Sequence, residues 1–214
     1  MGLVPYSGSI VLPQRGTVKY LTKPQLDVLT DAFREYYDSS RRKKTAGRYW
    51  LVYLTLRHTG ARIGEVTSID DATDVDFRGA EIKLVTLKQH ARTKRGNKSR
   101  VRRPSRIVPV PHFVISEIAT YLANFPEMRG KVFSVHPANF YVKFRDIAVR
   151  AGVPRDLAHP HVLRHTRAIE LLRNGIPVTI VQDLLGHSAL TTTAVYLRIS
   201  GQEAKHILKE KGLI

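Results

Sequence analysis

The sequence predicts a mainly α-helical fold carrying one small antiparallel three-stranded β-sheet, an α+β arrangement. Apolar residues recur at helical spacing over most of the chain, partial strand-like alternation is confined to residues 74–110, and Gly and Pro punctuate the segments between. With 214 residues, 43% of them hydrophobic, the chain is long enough to bury a real core in one large domain or two small ones.

The elements follow in chain order. Residues 1–20, with Pro5, Gly8, Pro13 and Gly16, are expected to form an extended arm or linker remnant, and residues 21–214 the folded domain. Thr22 can cap a helix whose first turn holds Pro24 and whose inner face holds Leu26, Leu29 and Phe33. The basic run Arg41-Arg42-Lys43-Lys44 is expected to end it. A second helix over Thr45–His58 carries Tyr49, Trp50, Tyr53 and Leu56, expected as core rather than a base-stacking platform, and Gly60 suits a left-handed stop. A short helix over Arg62–Thr67 precedes the β region: Asp74–Phe77, a turn at Arg78-Gly79, Glu81–Leu87, and Arg106–Val110 across a basic loop. Helices are then expected at about Phe113–Phe125, Pro137–Ala151, His161–Asn174 and Pro177–Leu185, with Gly152, Gly175 and Gly186 at C-caps. A helical segment around Thr191–Ile199 and a tail from Gln202 complete the chain, and no internal repeat is present.

Charge narrows the partner. Thirty-five Lys and Arg against 18 Asp and Glu leave a formal net charge of +17, the excess expected of a protein that neutralises a polyphosphate. Residues 88–106 alone hold nine Lys/Arg and no acid. The absence of cysteine removes disulfide and thiol chemistry. No apolar run approaches the roughly 18 residues of a membrane span, and the first residues lack a secretory-signal pattern.

The sequence contains neither of the Gly-rich motifs that cradle nucleotide phosphates. His159, His161 and His165 could pair on a metal, but there is no HExxH, and the acidic pairs Asp70-Asp71 and Asp74/Asp76 suit a turn and a strand start. No metal and no cofactor are expected. Phosphodiester chemistry without metal requires cations around the transition state, a nucleophile, and an acid for the leaving oxygen. Three clusters supply such groups. Thr59-Gly60-Ala61-Arg62-Ile63-Gly64-Glu65 sets an Arg just after the helix-ending Gly. His161-Val162-Leu163-Arg164-His165-Thr166 groups His161, Arg164 and His165 by i, i+3, i+4 spacing. Leu185-Gly186-His187-Ser188 is followed, nine residues after His187, by Tyr196 within Thr191-Thr192-Thr193-Ala194-Val195-Tyr196.

In order and spacing these clusters resemble the signature boxes of the tyrosine recombinase family (phage integrase and Xer-like): TGxRxxE, HxLRHT and LGHxxxxTTxxY. The resemblance covers about Leu21 to Ile214, the family's catalytic domain, and implies that domain's fold. It implies site-specific DNA recombination, as in integrases of mobile genetic elements. Arg62 and Arg164 would clamp the scissile phosphate and His161 and His187 would donate or move protons. Tyr196 would attack phosphorus to form a 3′-phosphotyrosyl link. Glu65 would orient a neighbour, and His165 would support the site through hydrogen bonding. The general acid would be a lysine of the hairpin between the second and third strands of the three-stranded sheet. Lys88, at a strand end, is favoured over Lys94, deeper in the loop. Arg92, Lys94, Arg95, Lys98, Arg100, Arg102 and Arg103 of that loop would contact the DNA backbone. The implied partner is double-stranded DNA, with self-assembly into a tetramer on paired sites, no membrane, and a cytoplasmic, DNA-associated location.

The duller readings stand beside these: helix-end arginines, a core-packed Tyr196, and a solvated basic loop. Two alternatives stay open, a type IB topoisomerase-like DNA relaxation and a non-catalytic DNA-binding protein that retains the fold. The family's N-terminal DNA-clamping domain does not fit in the twenty residues before the domain, so the chain is read as a fragment or a short member. The basic loop is longer than in Xer-type members.

Overall fold

A computed structural model of the chain describes residues 9–12, 16–86, 104–186 and 212. The architecture is the expected one, mainly helical with one three-stranded antiparallel sheet. The chain opens on a hairpin of β1 (Ser9–Leu12) and β2 (Gly16–Lys19), in register Ile10↔Val18 and Val11↔Thr17. The reading of residues 1–20 as a plain extended arm does not contain this pairing. The β-branched residues at 10, 11, 17 and 18 favour it.

Helix α1 (Lys23–Ser39) starts where Thr22 predicts, its backbone N–H donating to the Gln25 side chain at 2.9 Å. Helix α2 (Lys43–Thr59) begins two residues earlier than its spacing suggests. The reason lies in the basic run: Lys43 Nζ donates to the Tyr37 and Asp38 carbonyls, so it serves the end of α1 while opening α2. Every residue from Trp50 to Leu56 is buried, as befits a helix enclosed by its neighbours. Phe33 of α1 stacks on Tyr53 of α2 at 4.2 Å between ring centroids, and the Tyr53 hydroxyl bonds Thr30 at 2.7 Å. Tyr53 and Trp50 are thus core, with Tyr49 stacked on Phe140 at its margin. Rings of this size contribute about 1.5–3 kcal/mol each on burial.

After α3 (Ile63–Val66) come β3 (Val75–Asp76), β4 (Glu81–Val85) and β5 (Ser105–Pro109), ordered β3-β4-β5. Asp76 Oδ1 accepts from the backbone of Arg78 and Gly79 in the predicted turn. Asp71 is fully buried and accepts from Gly130 and Val132 N–H groups, and Asp74 accepts from the Asp70 N–H. These carboxylates are engaged in holding loops. Helices α4 (His112–Asn124), α5 (Pro137–Arg150), α6 (His161–Arg173) and α7 (Val178–Leu185) follow, with a 3-10 turn at Pro126–Met128. Gly60, Gly152, Gly175 and Gly186 all take positive φ at or just past helix ends, as expected. Among the described residues no helix is long and apolar enough to cross a membrane.

The helix expected around Thr191–Ile199, and the tail, lie outside the described residues. A second, smaller apolar cluster joins Tyr20 to Ala168, Ile169 and Leu172 of α6 and to Val181 and Leu185 of α7. Next to it the Leu21 N–H donates to the Thr166 hydroxyl at 2.9 Å, and that hydroxyl donates to the Val162 carbonyl at 2.8 Å.

Candidate active site

Arg62 owes its position to the end of α2. Gly60 turns left-handed at φ 63°, Thr59 Oγ1 accepts from the Ala61 N–H at 3.2 Å, and Arg62 becomes the N-cap of α3. Three residues on, Glu65 accepts from the Arg62 backbone N–H at 3.0 Å and from its Nη1 at 3.1 Å. Arg62 Nη1 also lies 3.4 Å from the Gly186 carbonyl at the end of α7. The box therefore folds on itself: Glu65 closes the first turn of α3 and holds the Arg62 side chain at the same time.

Glu65 is only 1% exposed. Burial alone would raise its carboxyl pKa. The Arg106 hydrogen bond and charge, then the Arg62 backbone bond and charge, outweigh burial and lower the pKa. Arg106 donates from Nη2 to Glu65 at 2.7 Å. Its Nε reaches the Leu184 carbonyl at 2.8 Å, and its Nη1 lies 3.4 Å from the Thr86 hydroxyl.

The second cluster opens α6. Arg164 is buried and donates from Nη1 to the Gly60 carbonyl at 2.8 Å, so α6 is bonded to the segment that carries Arg62. His161 is exposed, and its ring meets that of His165 edge-on at 4.6 Å. Burial, followed by the charges of His161, His159 and Arg164, lowers the His165 pKa to about 4, leaving that ring neutral near pH 7. A cleft of about 320 Å³ lies between the two clusters, lined by Ala61, Arg62, Ile63, Gly64, Glu65, Pro160 and His161.

The structure thus brings Arg62, Glu65 and His161 to one cleft, with Arg164 and His165 on the helix that walls it. Lys88, His187 and Tyr196, and the loop residues Arg92, Lys94, Arg95, Lys98, Arg100, Arg102 and Arg103, lie outside the described residues. Arg106 was missed as part of the site. A signal existed: β5 pairs Arg106 with buried Leu84 and Ile82 with buried Val108, so Arg106 shares the inner face while Ile107 is 60% exposed. An arginine on the inward phase of a strand requires a buried acceptor.

Residues 19–203 match the sequence profile described as the phage integrase family. A tyrosine recombinase of Thermosipho africanus is 32% identical over 196 residues, covering 89% of this chain and 61% of that protein. Tyrosine recombinase XerA of Thermococcus onnurineus is 28% identical over 179 residues, covering 79% and 57%. The chain therefore spans under two thirds of the length of these curated relatives. Among solved structures, a XerA recombinase superposes with a TM-score of 0.68 at 23% identity, over 90% of this chain and 64% of that one. The catalytic domain of bacteriophage HP1 integrase gives 0.59 at 22% identity, over 86% and 91%. A XerH recombinase bound to its difH substrate gives 0.65 at 20% identity, over 87% and 52%. At these identities the structural likeness is one of fold.

Proposed function

The chain belongs to the phage integrase family, the tyrosine recombinases, and from that premise we propose that it cuts and rejoins DNA at specific sites through a covalent link to Tyr196. The observation that carries the reading is the single cleft lined by Arg62, His161 and a buried Glu65 that two arginines hold. Two of the three signature clusters contribute to it, and the third begins at Leu185 and Gly186, the latter contacted by Arg62.

In the proposed reaction the Tyr196 phenolic oxygen forms a bond to phosphorus and the bond to the 5′-oxygen breaks. The products are a 3′-phosphotyrosyl ester and a free 5′-hydroxyl. Arg62 supplies a planar fork for the non-bridging oxygens, joined by Arg164. His161 and His187 donate to the same phosphate or accept the phenolic proton. Lys88 protonates the leaving oxygen, with Lys94 as its rival. Tyr has an ordinary pKa near 10, so the surrounding cations favour the phenolate. The ester bond energy is kept in phosphotyrosine, so rejoining consumes no ATP.

Residues 21–214 act as the catalytic domain, and the basic loop after β4 follows the DNA backbone. Related recombinases have been solved on difH and on circular-intermediate DNA, which supports double-stranded DNA as the partner here. Assembly into a tetramer on paired sites, in the cytoplasm on DNA, belongs to the same proposal.

A nicked suicide substrate made from the DNA that flanks the gene tests it. The native chain should leave a protease-sensitive protein–DNA adduct in EDTA, and Tyr196→Phe should leave none while binding DNA as before. No adduct from the native chain would mark a DNA-binding protein that only retains the fold. Relaxation of supercoiled plasmid without joining of two sites would mark the topoisomerase-like alternative.

A further inference from the structure

Arg106 occupies the junction of three segments. It springs from β5, opposite Leu84 of β4, with its side chain only 12% exposed. Its Nη2 meets Glu65 of α3 at 2.7 Å, its Nε meets the Leu184 carbonyl of α7 at 2.8 Å, and its Nη1 lies 3.4 Å from Thr86 at the end of β4. In sequence, Glu65 follows Arg62 by three residues, Thr86 precedes Lys88 by two, and Leu184 precedes His187 by three.

Gly186 shows how closely α7 is fitted to this side chain. A Cβ placed there would stand 2.7 Å from Arg106 Nη1 and 2.9 Å from its Cζ, and the residue is left-handed at φ 67°. The turn that leads out of α7 thus packs its bare backbone on the Arg106 guanidinium. From the other side Arg62 reaches the Gly186 carbonyl.

The charges explain the need. An i, i+3 pair such as Arg62–Glu65 is weak when solvated, and a carboxylate buried with one cation alone is poorly stabilised. Here Glu65 is held between two guanidinium groups, with Arg62 on one oxygen at 3.1 Å and Arg106 on the other at 2.7 Å. Without Arg106 the burial that opposes ionisation of Glu65 would dominate, and Arg62 would lose its anchor.

We propose that Arg106 is a positioning residue of this site, holding the Glu65 carboxylate and through it aiming the Arg62 guanidinium, while its Nε fixes the end of α7. As a statement about strand transfer this rests on the function proposed above. As a statement about Glu65 it does not. Arg106 touches no reacting atom, so its loss acts on the chemical step and spares DNA affinity.

The test uses Arg106→Gln and Arg106→Lys in the full chain, with circular dichroism confirming that each folds. Should Arg106→Gln not fold, Arg106→Lys carries the test, since it keeps a charge but cannot reach Glu65, Thr86 and Leu184 together. The first readout is a carbon-13 titration of the Glu65 carboxyl. In either variant it should titrate at a higher pH than in the native chain, and an unchanged titration would overturn the proposal. This measurement needs no DNA, so a native chain that forms no adduct would defeat the function proposed above and leave this result standing. The second readout is single-turnover cleavage of the suicide substrate at saturating DNA, expected to fall about 10²-fold, the scale of a misplaced clamp. The Kd for DNA should stay within about threefold. A weakened Kd with unchanged cleavage would make Arg106 a DNA contact instead. The third is Glu65→Gln with and without Arg106→Gln: once the carboxylate is gone, the second change should cost less than about threefold more. Fully multiplicative losses would refute the route through Glu65.

Discussion

The buried Arg164 guanidinium donates to the carbonyl of Gly60 at 2.8 Å, and so joins the helix that carries one site arginine to the turn that presents the other. Arg164→Lys keeps the charge and loses the planar fork. We expect the single-turnover cleavage rate to fall about 10²- to 10³-fold, the scale of a lost transition-state donor. Thermal unfolding should also report about 1–3 kcal/mol of lost stability from the orphaned carbonyl. A lysine variant that cleaves and melts like the native chain would show that the fork is unused.

Gly60 is confined by conformation and by space together. Its φ is 63°, and an added Cβ would lie 2.5 Å from Leu185 Cδ2 and 3.3 Å from Arg167 Cβ. Gly152 and Gly175 share the left-handed conformation, but a Cβ there meets nothing within 4 Å. Gly152→Ala and Gly175→Ala should therefore cost about 1–2 kcal/mol of strain. Gly60→Ala should cost a further 1–3 kcal/mol or so from overpacking. Urea unfolding of the three variants measures the difference, and equal losses would mean that Leu185 moves aside freely.

Stability should fall in acid through two histidines. Burial, then the charges of Arg57 and Arg167, lower the His58 pKa to about 3; His165 is lowered to about 4. Both are neutral in the folded chain, whereas the unfolded chain takes up protons as pH drops below their ordinary value of 6.5. Their contribution is thus complete above that value and is lost as pH falls through the interval down to the folded pKa values. Urea unfolding between pH 7 and pH 4.5 should show a slope to which this pair contributes up to about two protons, with His159, lowered chiefly by burial, adding to it. His165→Asn should remove about one of them. A slope that is unchanged in the variant would contradict the assignment to His165.

The α2–α6 contact contains a fork-to-fork pair, Arg57 to Glu170, with both nitrogen–oxygen distances at 2.7 Å, and Arg167 stands 3.6 Å from the same carboxylate. Arg57 is 16% exposed and Glu170 30%, so solvent screens the pair only in part. A double-mutant cycle of Arg57→Met and Glu170→Gln should return a coupling of about 1–3 kcal/mol. A coupling near zero would place the pair with ordinary surface bridges.

DNA binding should weaken steeply with salt, since residues 88–103 hold eight cations and no acid. Each phosphate neutralised contributes about −0.9 to the slope of log K against log salt. Replacing Lys94, Arg95 and Lys98 with Gln should lower that slope by up to about three contacts' worth. An unchanged slope would mean that the loop does not meet phosphate.

The fold was legible wherever its cause is local. Thr22, Gly60, Gly152, Gly175 and Gly186 act within a turn of their own positions, and each predicted a boundary that the structure places there. The start of α2 at Lys43 was not, because it depends on carbonyls left over from α1, across a chain reversal. The site shows the same division. Arg62 with Glu65, and His161 with Arg164, are near neighbours in sequence. Arg106 lies 41 residues from Glu65 and 78 from Leu184, and a basic residue beside a basic loop reads as solvated until the strand register shows which way it points.

The Leu21 N–H and the Thr166 hydroxyl give this domain a mechanical property. The bond joins the entry of the chain to α6 one residue past His165 and two past Arg164. A pull on Tyr20 is therefore passed to α6. It loads the 2.9 Å bond to Thr166 together with the packing of Tyr20 on Ala168, Ile169 and Leu172 of the same helix. Because the same hydroxyl is tethered to the Val162 carbonyl, the load is delivered to the helix backbone and not to a rotatable side chain. The helix bearing Arg164 is thus fastened to the residues that follow strand β2 by backbone and side-chain contacts together.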